Sequence, residues 1–127
     1  MVKWNYNDLT LWIEQGCDIE VGLSVLELNC SNNKLTILPS EIGQLINLQH
    51  LYCDHNNLTT LPPEIGQLIN LQILDYSINN LTTISPSIGL LTKLQKLYCR
   101  DNKLTTLPPE IGLLTKLQKL HCRDNNL

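Results

Sequence analysis

A unit of 23 residues recurs along most of this chain, and no other feature constrains the fold as strongly. The copy that begins at Leu48 reads LQHLYCDHNNLTTLPPEIGQLIN, and the copy that begins at Leu94 reads LQKLYCRDNKLTTLPPEIGLLTK. The same unit starts at Val25, Leu71 and Leu117 with no gap between copies, and the last copy is incomplete. A fixed period of this length is typical of a solenoid, in which each coil buries its apolar face against its neighbours.

Apolar and polar residues occupy fixed positions within the unit. Each unit has two leucine-rich positions and a third apolar position that holds four cysteines and one tyrosine. The last two of these three positions alternate with polar residues, which predicts a short strand with one buried face. An asparagine then stands where the chain must turn, and its amide can satisfy backbone groups of its own coil and of the next. The prolines of the return segment disfavour a regular helix there but leave room for a short helical or 3₁₀ turn over Glu-Ile-Gly-x-Leu. The columns are Val25, Leu48, Leu71, Leu94 and Leu117; Leu28, Leu51, Leu74, Leu97 and Leu120; Cys30, Cys53, Tyr76, Cys99 and Cys122; and Asn33, Asn56, Asn79, Asn102 and Asn125.

The pattern LxxLxLxxNxL followed by xxLPxxIGxL resembles that of leucine-rich repeats, over residues 23–127. Its closing IGxL is similar to the LPxxIGxL subclass of Ras-pathway scaffold proteins, plant intracellular Ras-group proteins and giant-virus leucine-rich proteins. The resemblance implies an α/β solenoid, namely a segment of a right-handed horseshoe with a parallel concave β-sheet. It also implies a non-catalytic module that binds another protein.

Residues 1–22 precede the repeats and are predicted to form a capping helix. Asn7 suits the N-cap of a helix that ends at Gly16. Leu9, Trp12 and Ile13 form an apolar face that could cover the first coil. The alternative is a recruitment helix that binds a partner.

The composition and the absence of certain motifs limit the functions that are expected of the chain. The net charge of −3 does not indicate nucleic acid or a membrane as a partner. The chain has no catalytic motif and no closely spaced metal-ligand motif, so neither an enzyme nor a cofactor or metal site is expected. A basic stripe in the last two coils is the one weak indication of nucleic-acid binding, and the acidic balance argues against it.

The five cysteines and the N-terminal sequence predict a reducing compartment. Residues 1–8 contain no apolar leader segment, and an odd number of cysteines favours free thiols. We therefore expect a cytoplasmic protein, in the host cytoplasm if the chain is viral. The cysteines of the repeat are expected to act as small core residues, and Cys17 is predicted to be the most exposed thiol.

The predicted concave face carries the candidate partner-binding residues. They are the side chains that alternate with the buried positions in the central coils, where tyrosine and arginine are favoured at protein interfaces. The alternative is an ordinary solvated strand surface. The candidates are Tyr52, Ile73, Asp75, Tyr98 and Arg100.

The sequence given stops at Leu127, halfway through its fifth coil. Three interpretations follow: two such ends pair in a homodimer, the array is a fragment of a longer scaffold, or the end frays in a monomer. A structural array without a dedicated partner is the alternative to a binding module. The residues predicted to form the dimer interface are Leu117, Lys119, Leu120, His121, Cys122, Arg123 and Leu127.

Overall fold

The computed structural model describes all 127 residues and contains a single six-stranded parallel sheet in the order β1-β2-β3-β4-β5-β6. Two α-helices, α1 (Tyr6–Glu14) and α2 (Ile19–Leu23), lie between β1 and β2. A short 3₁₀ helix returns the chain after each later strand up to β5, and the solenoid predicted from the repeat is confirmed. The strands are β1 (Val2–Asn5), β2 (Val25–Asn29), β3 (His50–Tyr52), β4 (Ile73–Asp75), β5 (Lys96–Tyr98) and β6 (Lys119–His121); the 3₁₀ helices are Ser40–Gln44, Pro63–Gln67, Pro86–Leu90 and Pro109–Leu113.

The core is a continuous ladder of aliphatic side chains behind the sheet. Equivalent leucines lie side by side in register, as Leu28, Leu51 and Leu74 do, and all three are fully buried. Parallel strands spaced about 4.8 Å apart bring each of these side chains against its equivalent in the next coil. A repeated sequence therefore builds a repeated packing contact, and one coil alone could not form it.

The asparagine column connects the coils, but the amide bonds to its own coil and to the preceding one, whereas its own coil and the next were predicted. Asn56 accepts hydrogen bonds at Oδ1 from the backbone N–H groups of Asn33 and Leu35 in the preceding coil, each at 3.0 Å. Its Nδ2 donates to the carbonyl oxygens of Cys30 and Cys53, one in each coil, also at 3.0 Å. The side chain is buried, so these bonds satisfy backbone groups that water cannot reach.

The N-terminal helix begins earlier than predicted. Asn5, not Asn7, is the N-cap, because Asp8 completes a capping box with it: Asp8 N–H donates to Asn5 Oδ1 and Asn5 N–H donates to Asp8 Oδ2, both at 2.9 Å. The predicted stop at Gly16 is confirmed, since this glycine has a φ of 97° just after the C-cap.

The sequence did not predict β1 or α2. β1 pairs in parallel with β2, so the N-terminal segment extends the sheet. Leu9 and Trp12 of α1 are buried in the core, and the Trp12 indole N–H donates to the carbonyl of Asp18 at 2.9 Å. In α2, Gly22 lies against the indole, and a Cβ there would be 2.8 Å from Trp12 Cζ2. The absent side chain lets α2 approach α1.

Each coil turns away from its strand through one residue with a left-handed backbone. At this position φ lies between 54° and 58° in all five coils. Asparagine and aspartate tolerate this conformation, whereas a β-branched residue is strained in it. Coil three is the exception because it places Ile78 there. The column is Asn32, His55, Ile78, Asp101 and Asp124.

Candidate functional site

The sheet places four of the five predicted partner-binding residues on three neighbouring strands. Tyr52 pairs in register with Asp75, and Asp75 pairs with Tyr98. Ile73 lies two residues before Asp75 on the same strand and therefore on the same face. All four side chains are half-buried, so they form a continuous surface that is still accessible.

Arg100 lies two residues beyond β5 and joins the same surface at the rim. It lines a shallow hollow of about 240 Å³ together with Asp75 and Tyr98. Its guanidinium forms an ion pair with the neighbouring Asp101, which the sequence analysis did not anticipate. The remaining lining residues are Asp54, His55, Ser77 and His121.

Asp54 and Ser77 line this hollow but were not predicted as site residues, although the sequence carried a signal for them. Both belong to the column that contains Arg100 at 23-residue spacing. Asp54 Oδ1 accepts a hydrogen bond from the Ser31 hydroxyl of the preceding coil, and Asp54 Oδ2 lies 2.9 Å from His55 Nδ1. Burial alone would raise the pKa of Asp54, but these hydrogen bonds outweigh it and the pKa is lowered. Asp54 is therefore held as a carboxylate.

Tyr52 lies in a negative environment. Burial raises its pKa, and the nearby carboxylates of Glu27 and Asp75 raise it further. Glu27 also lies 3.2 Å from His50 Nδ1 on the adjacent strand, so His50 is both partnered and half-buried.

Aromatic rings extend the surface towards both ends. The rings of His50 and Tyr52 are 6.3 Å apart, and the rings of Tyr98 and His121 meet edge to face at 4.9 Å. Such contacts hold the tyrosines in place and leave their hydroxyl groups available as polar contacts.

The predicted dimer-interface residues lie together on the last coil. Leu117, Leu120 and Cys122 are half-buried, whereas their equivalents one coil earlier are fully buried. The strand β6 pairs with β5 on one side only. Part of this group lines an open hollow of about 580 Å³ with Arg100. The exposed members are Lys119, His121, Arg123 and Leu127.

The cysteine column lies inside the solenoid, as expected. Cys30, Cys53 and Cys99 are fully buried, and all five cysteines are free thiols. Burial raises the pKa of Cys30 and of Cys99 to about 12, so both stay protonated. Cys17, predicted to be the most exposed thiol, is half-buried, and so is Cys122.

Comparison with known proteins agrees with the repeat architecture. A sequence profile described as a leucine-rich repeat region matches residues 21–126. The chain belongs to the leucine-rich repeat family. No curated protein matches it. Members of this family are typically non-catalytic interaction modules. The narrower LPxxIGxL subclass and the viral resemblance stay predictions.

Two solved leucine-rich repeat structures illustrate the similarity. A leucine-rich-repeat protein of Leptospira interrogans is 44% identical, with a TM-score of 0.81, over 86% of this chain and 28% of that one. The functional domain of InlJ from Listeria monocytogenes, which includes a cysteine ladder, is 38% identical, with a TM-score of 0.73, over 87% of this chain and 23% of that one. The chain thus spans about a quarter of the length of these two proteins.

Two further observations on the leucine-rich repeat chain concern metal-binding clusters and membrane-spanning helices. No group of three or more His, Cys, Asp or Glu side chains is arranged to hold a metal ion. None of the helices is both long enough and apolar enough to cross a membrane.

Proposed function

We propose that this chain is a non-catalytic module that binds another protein through the concave face of its sheet. The observation that carries the proposal is the in-register cluster of Tyr52, Asp75 and Tyr98 with Ile73 beside it. Tyrosines in such a position bury a large area at low entropic cost. The cluster is half-buried before any partner arrives, so its side chains are already partly ordered.

The family supports a protein partner in general terms, and the surface chemistry supports the location. The inward positions are uniform because they build the core. The outward positions differ from coil to coil, as His50, Ile73 and Lys96 do on adjacent strands. A surface with varied side chains on a rigid sheet is suited to the recognition of one shape and charge pattern.

Site-specific photo-crosslinking tests this proposal. A photoreactive phenylalanine analogue placed at Tyr98 should crosslink the partner in an extract of the native source. The same analogue at Thr82, which is exposed and lies outside the strands and helices, should not. In the chain that carries the analogue at position 98, Tyr52→Ala should reduce recovery of the crosslinked protein about tenfold, because an interface tyrosine is worth about 1–2 kcal/mol or more. Equal recovery with Thr82→Ala and with Tyr52→Ala in that chain would exclude the concave face.

Self-association through the last coil is a second proposal, with its own observation. Leu117 and Leu120 are only half-buried, and the backbone of β6 has a strand on one side only. A second copy, or a further coil of a longer array, would bury the leucines and pair the strand. The 127-residue chain on its own is therefore expected to dimerise.

Sedimentation velocity at several concentrations tests the dimer. Leu120→Glu places a charge on the open edge and should yield a monomer at tens of micromolar. Thr105→Glu is the control because Thr105 is exposed and outside the strands. A wild-type chain that stays monomeric over this range would refute self-association but not partner binding.

The proposed location is a reducing compartment such as the cytoplasm. Its support is the set of five free thiols. Thiol quantification on protein purified from the native source, without added reductant, checks it: five free thiols are expected, and any stable disulfide would contradict the assignment.

A further inference from the structure

The charges of the concave face are separated along the solenoid axis. The acidic side chains of this face, Glu27, Asp54 and Asp75, all lie in coils one to three. The lysines and arginines of coils one to five on this face all lie in coils four and five; they are Lys96, Arg100, Lys119 and Arg123. The whole chain follows the same trend, since residues 1–63 carry two basic and seven acidic side chains and residues 64–127 carry seven basic and five acidic.

Contacts within the chain neutralise part of this pattern but leave its centre intact. Lys3 approaches Glu27 with its Nζ 3.7 Å from Oε2, and Arg100 pairs with Asp101. Asp75, in contrast, accepts a hydrogen bond only from the backbone N–H of Ser77, at 2.9 Å, and makes no ion pair. The boundary between the two halves therefore has an unpaired carboxylate on its acidic side.

The basic half of the face also has charged side chains without an ion-pair partner. Lys96 and Lys119 are directly opposite each other on β5 and β6, and neither makes an ion pair. Like charges at such a cross-strand position repel one another. An anionic partner group between them would remove the repulsion, whereas a cation there would increase it.

The centre of the face, between the two charged halves, is apolar and aromatic. Ile73 occupies the middle strand, and Tyr52 and Tyr98 lie on the strands to either side. From β2 to β6 the face extends about 19 Å, at about 4.8 Å per strand. An extended segment of about six residues covers that distance, at about 3.3 Å per residue.

From this placement we propose that the concave face binds a charge-segregated protein segment, whose basic part lies on coils one to three and whose acidic part lies on coils four and five, with an apolar centre between them. This inference rests on the proposed function and specifies the partner. The complementary order of charges selects the partner and its direction, and misplaced charges are rejected by repulsion.

Two synthetic peptides of identical composition provide the probe. One carries four lysines, a Leu-Tyr-Leu centre and four glutamates in that order; the other has the same residues with lysine and glutamate alternating. Titration is followed by amide chemical shifts of the labelled 127-residue chain at low ionic strength. The segregated peptide is expected to bind about tenfold more tightly, which is about 1.4 kcal/mol, and added salt should reduce the difference.

Orientation and variants sharpen the test. A nitroxide on the lysine end should broaden amide signals near Tyr52 and not those near Lys119. The double variant Lys96→Glu, Lys119→Glu should bind the segregated peptide no better than the alternating one. The control Lys103→Glu, Lys116→Glu changes the net charge equally at exposed sites outside the strands and should leave the preference intact.

Each other outcome overturns the inference. Equal binding of the two peptides would exclude selection by charge order, and an equal loss in the control variant would show that only net charge matters. Tighter binding of a dodecameric oligothymidylate than of the segregated peptide would assign the basic half to nucleic acid. If both peptides shift concave amides equally, the inference fails while the proposed function stands. If neither peptide shifts them, the inference fails, and crosslinking at position 98 decides the proposed function separately.

Discussion

The asparagine column should carry much of the stability of the solenoid, and Asn79 is the position that tests this. Its Oδ1 accepts from Leu58 N–H at 3.0 Å, and its Nδ2 donates to the carbonyl oxygens of Cys53 at 3.1 Å and Tyr76 at 2.9 Å. In an Asn79→Ala variant the two carbonyls keep a second donor, since Asn56 also reaches Cys53 and Asn102 also reaches Tyr76. The N–H of Leu58 keeps none.

The expected cost follows from that difference. A buried donor left without a partner costs about 1–3 kcal/mol, and each lost hydrogen bond contributes about 0.5–1.5 kcal/mol more. We therefore expect Asn79→Ala to lower the free energy of unfolding by about 3 kcal/mol. Asn33 is the matched control, because it is exposed and bonds only to carbonyls of its own coil, those of Cys30 and Ser31. Asn33→Ala should cost less than about 1 kcal/mol.

Urea unfolding provides the measurement. Far-UV circular dichroism reports on the whole sheet, and tryptophan fluorescence reports on the N-terminal segment, where Trp4 and Trp12 lie 5.7 Å apart. Coincident transitions would justify a two-state free energy. An equal loss of stability in both variants, with unchanged denaturant slopes, would refute the reasoning from hydrogen-bond partners.

Three further predictions concern stability. Ile78→Asn should stabilise the chain by about 1 kcal/mol in thermal unfolding, because it removes the strain of a β-branched residue in a left-handed backbone. The reverse change Asn32→Ile should lower stability by a similar amount, and lower stability in both variants would contradict the argument. Tyr76→Phe should stabilise the chain by about 1 kcal/mol in urea unfolding, because the buried hydroxyl makes no hydrogen bond of ordinary geometry, although the Cys99 thiol is close enough to affect its pKa. A less stable variant would show that the hydroxyl has a hydrogen-bond partner. The buried thiols should make stability fall as the pH rises from 9 to 12, because the unfolded chain ionises its thiols near 9 whereas the folded pKa of Cys30 and of Cys99 is about 12. A double change of these two cysteines to alanine should flatten the decline, and an unchanged slope would refute its assignment to the thiols.

The repeated part of the fold could be predicted because it is determined by local periodicity. The alternation around Leu51 and the turn at Asn56 recur with little variation, so each coil confirms the interpretation of the others. The 3₁₀ helices follow from Pro and Gly at fixed positions. The turn conformation at Ile78 could not be predicted from its own residue type, since tertiary contacts of the flanking coils impose it.

The N-terminal segment was harder to predict because it occurs once. Its strand β1 has no alternation strong enough to indicate a strand, and it forms because β2 offers a free edge. The five-residue helix α2 is too short for a periodic signal. The N-cap was misplaced because Asn5 and Asn7 both precede Asp8, and only the three-residue spacing of the capping box separates them.

The face on which the candidate site lies could be predicted, but the contacts between its side chains could not. Column spacing placed Tyr52, Asp75 and Tyr98 on one face, and the register bears this out. The ion pair of Arg100 with Asp101 and the contact of His50 with Glu27 depend on side-chain rotamers, which periodicity does not specify.

The repeat also separates stability from recognition. Inward positions such as Leu74 and Leu97 are fully buried and carry the packing energy, whereas the adjacent outward positions Ile73 and Lys96 are only half-buried. Substitutions on the concave face should therefore change stability by less than about 0.5 kcal/mol while they alter binding. Because of this separation, the charges on the concave face can differ from coil to coil while the core residues stay the same. It also makes a binding defect in the Lys96→Glu, Lys119→Glu variant interpretable as a change in recognition, provided that its unfolding free energy matches that of the wild type.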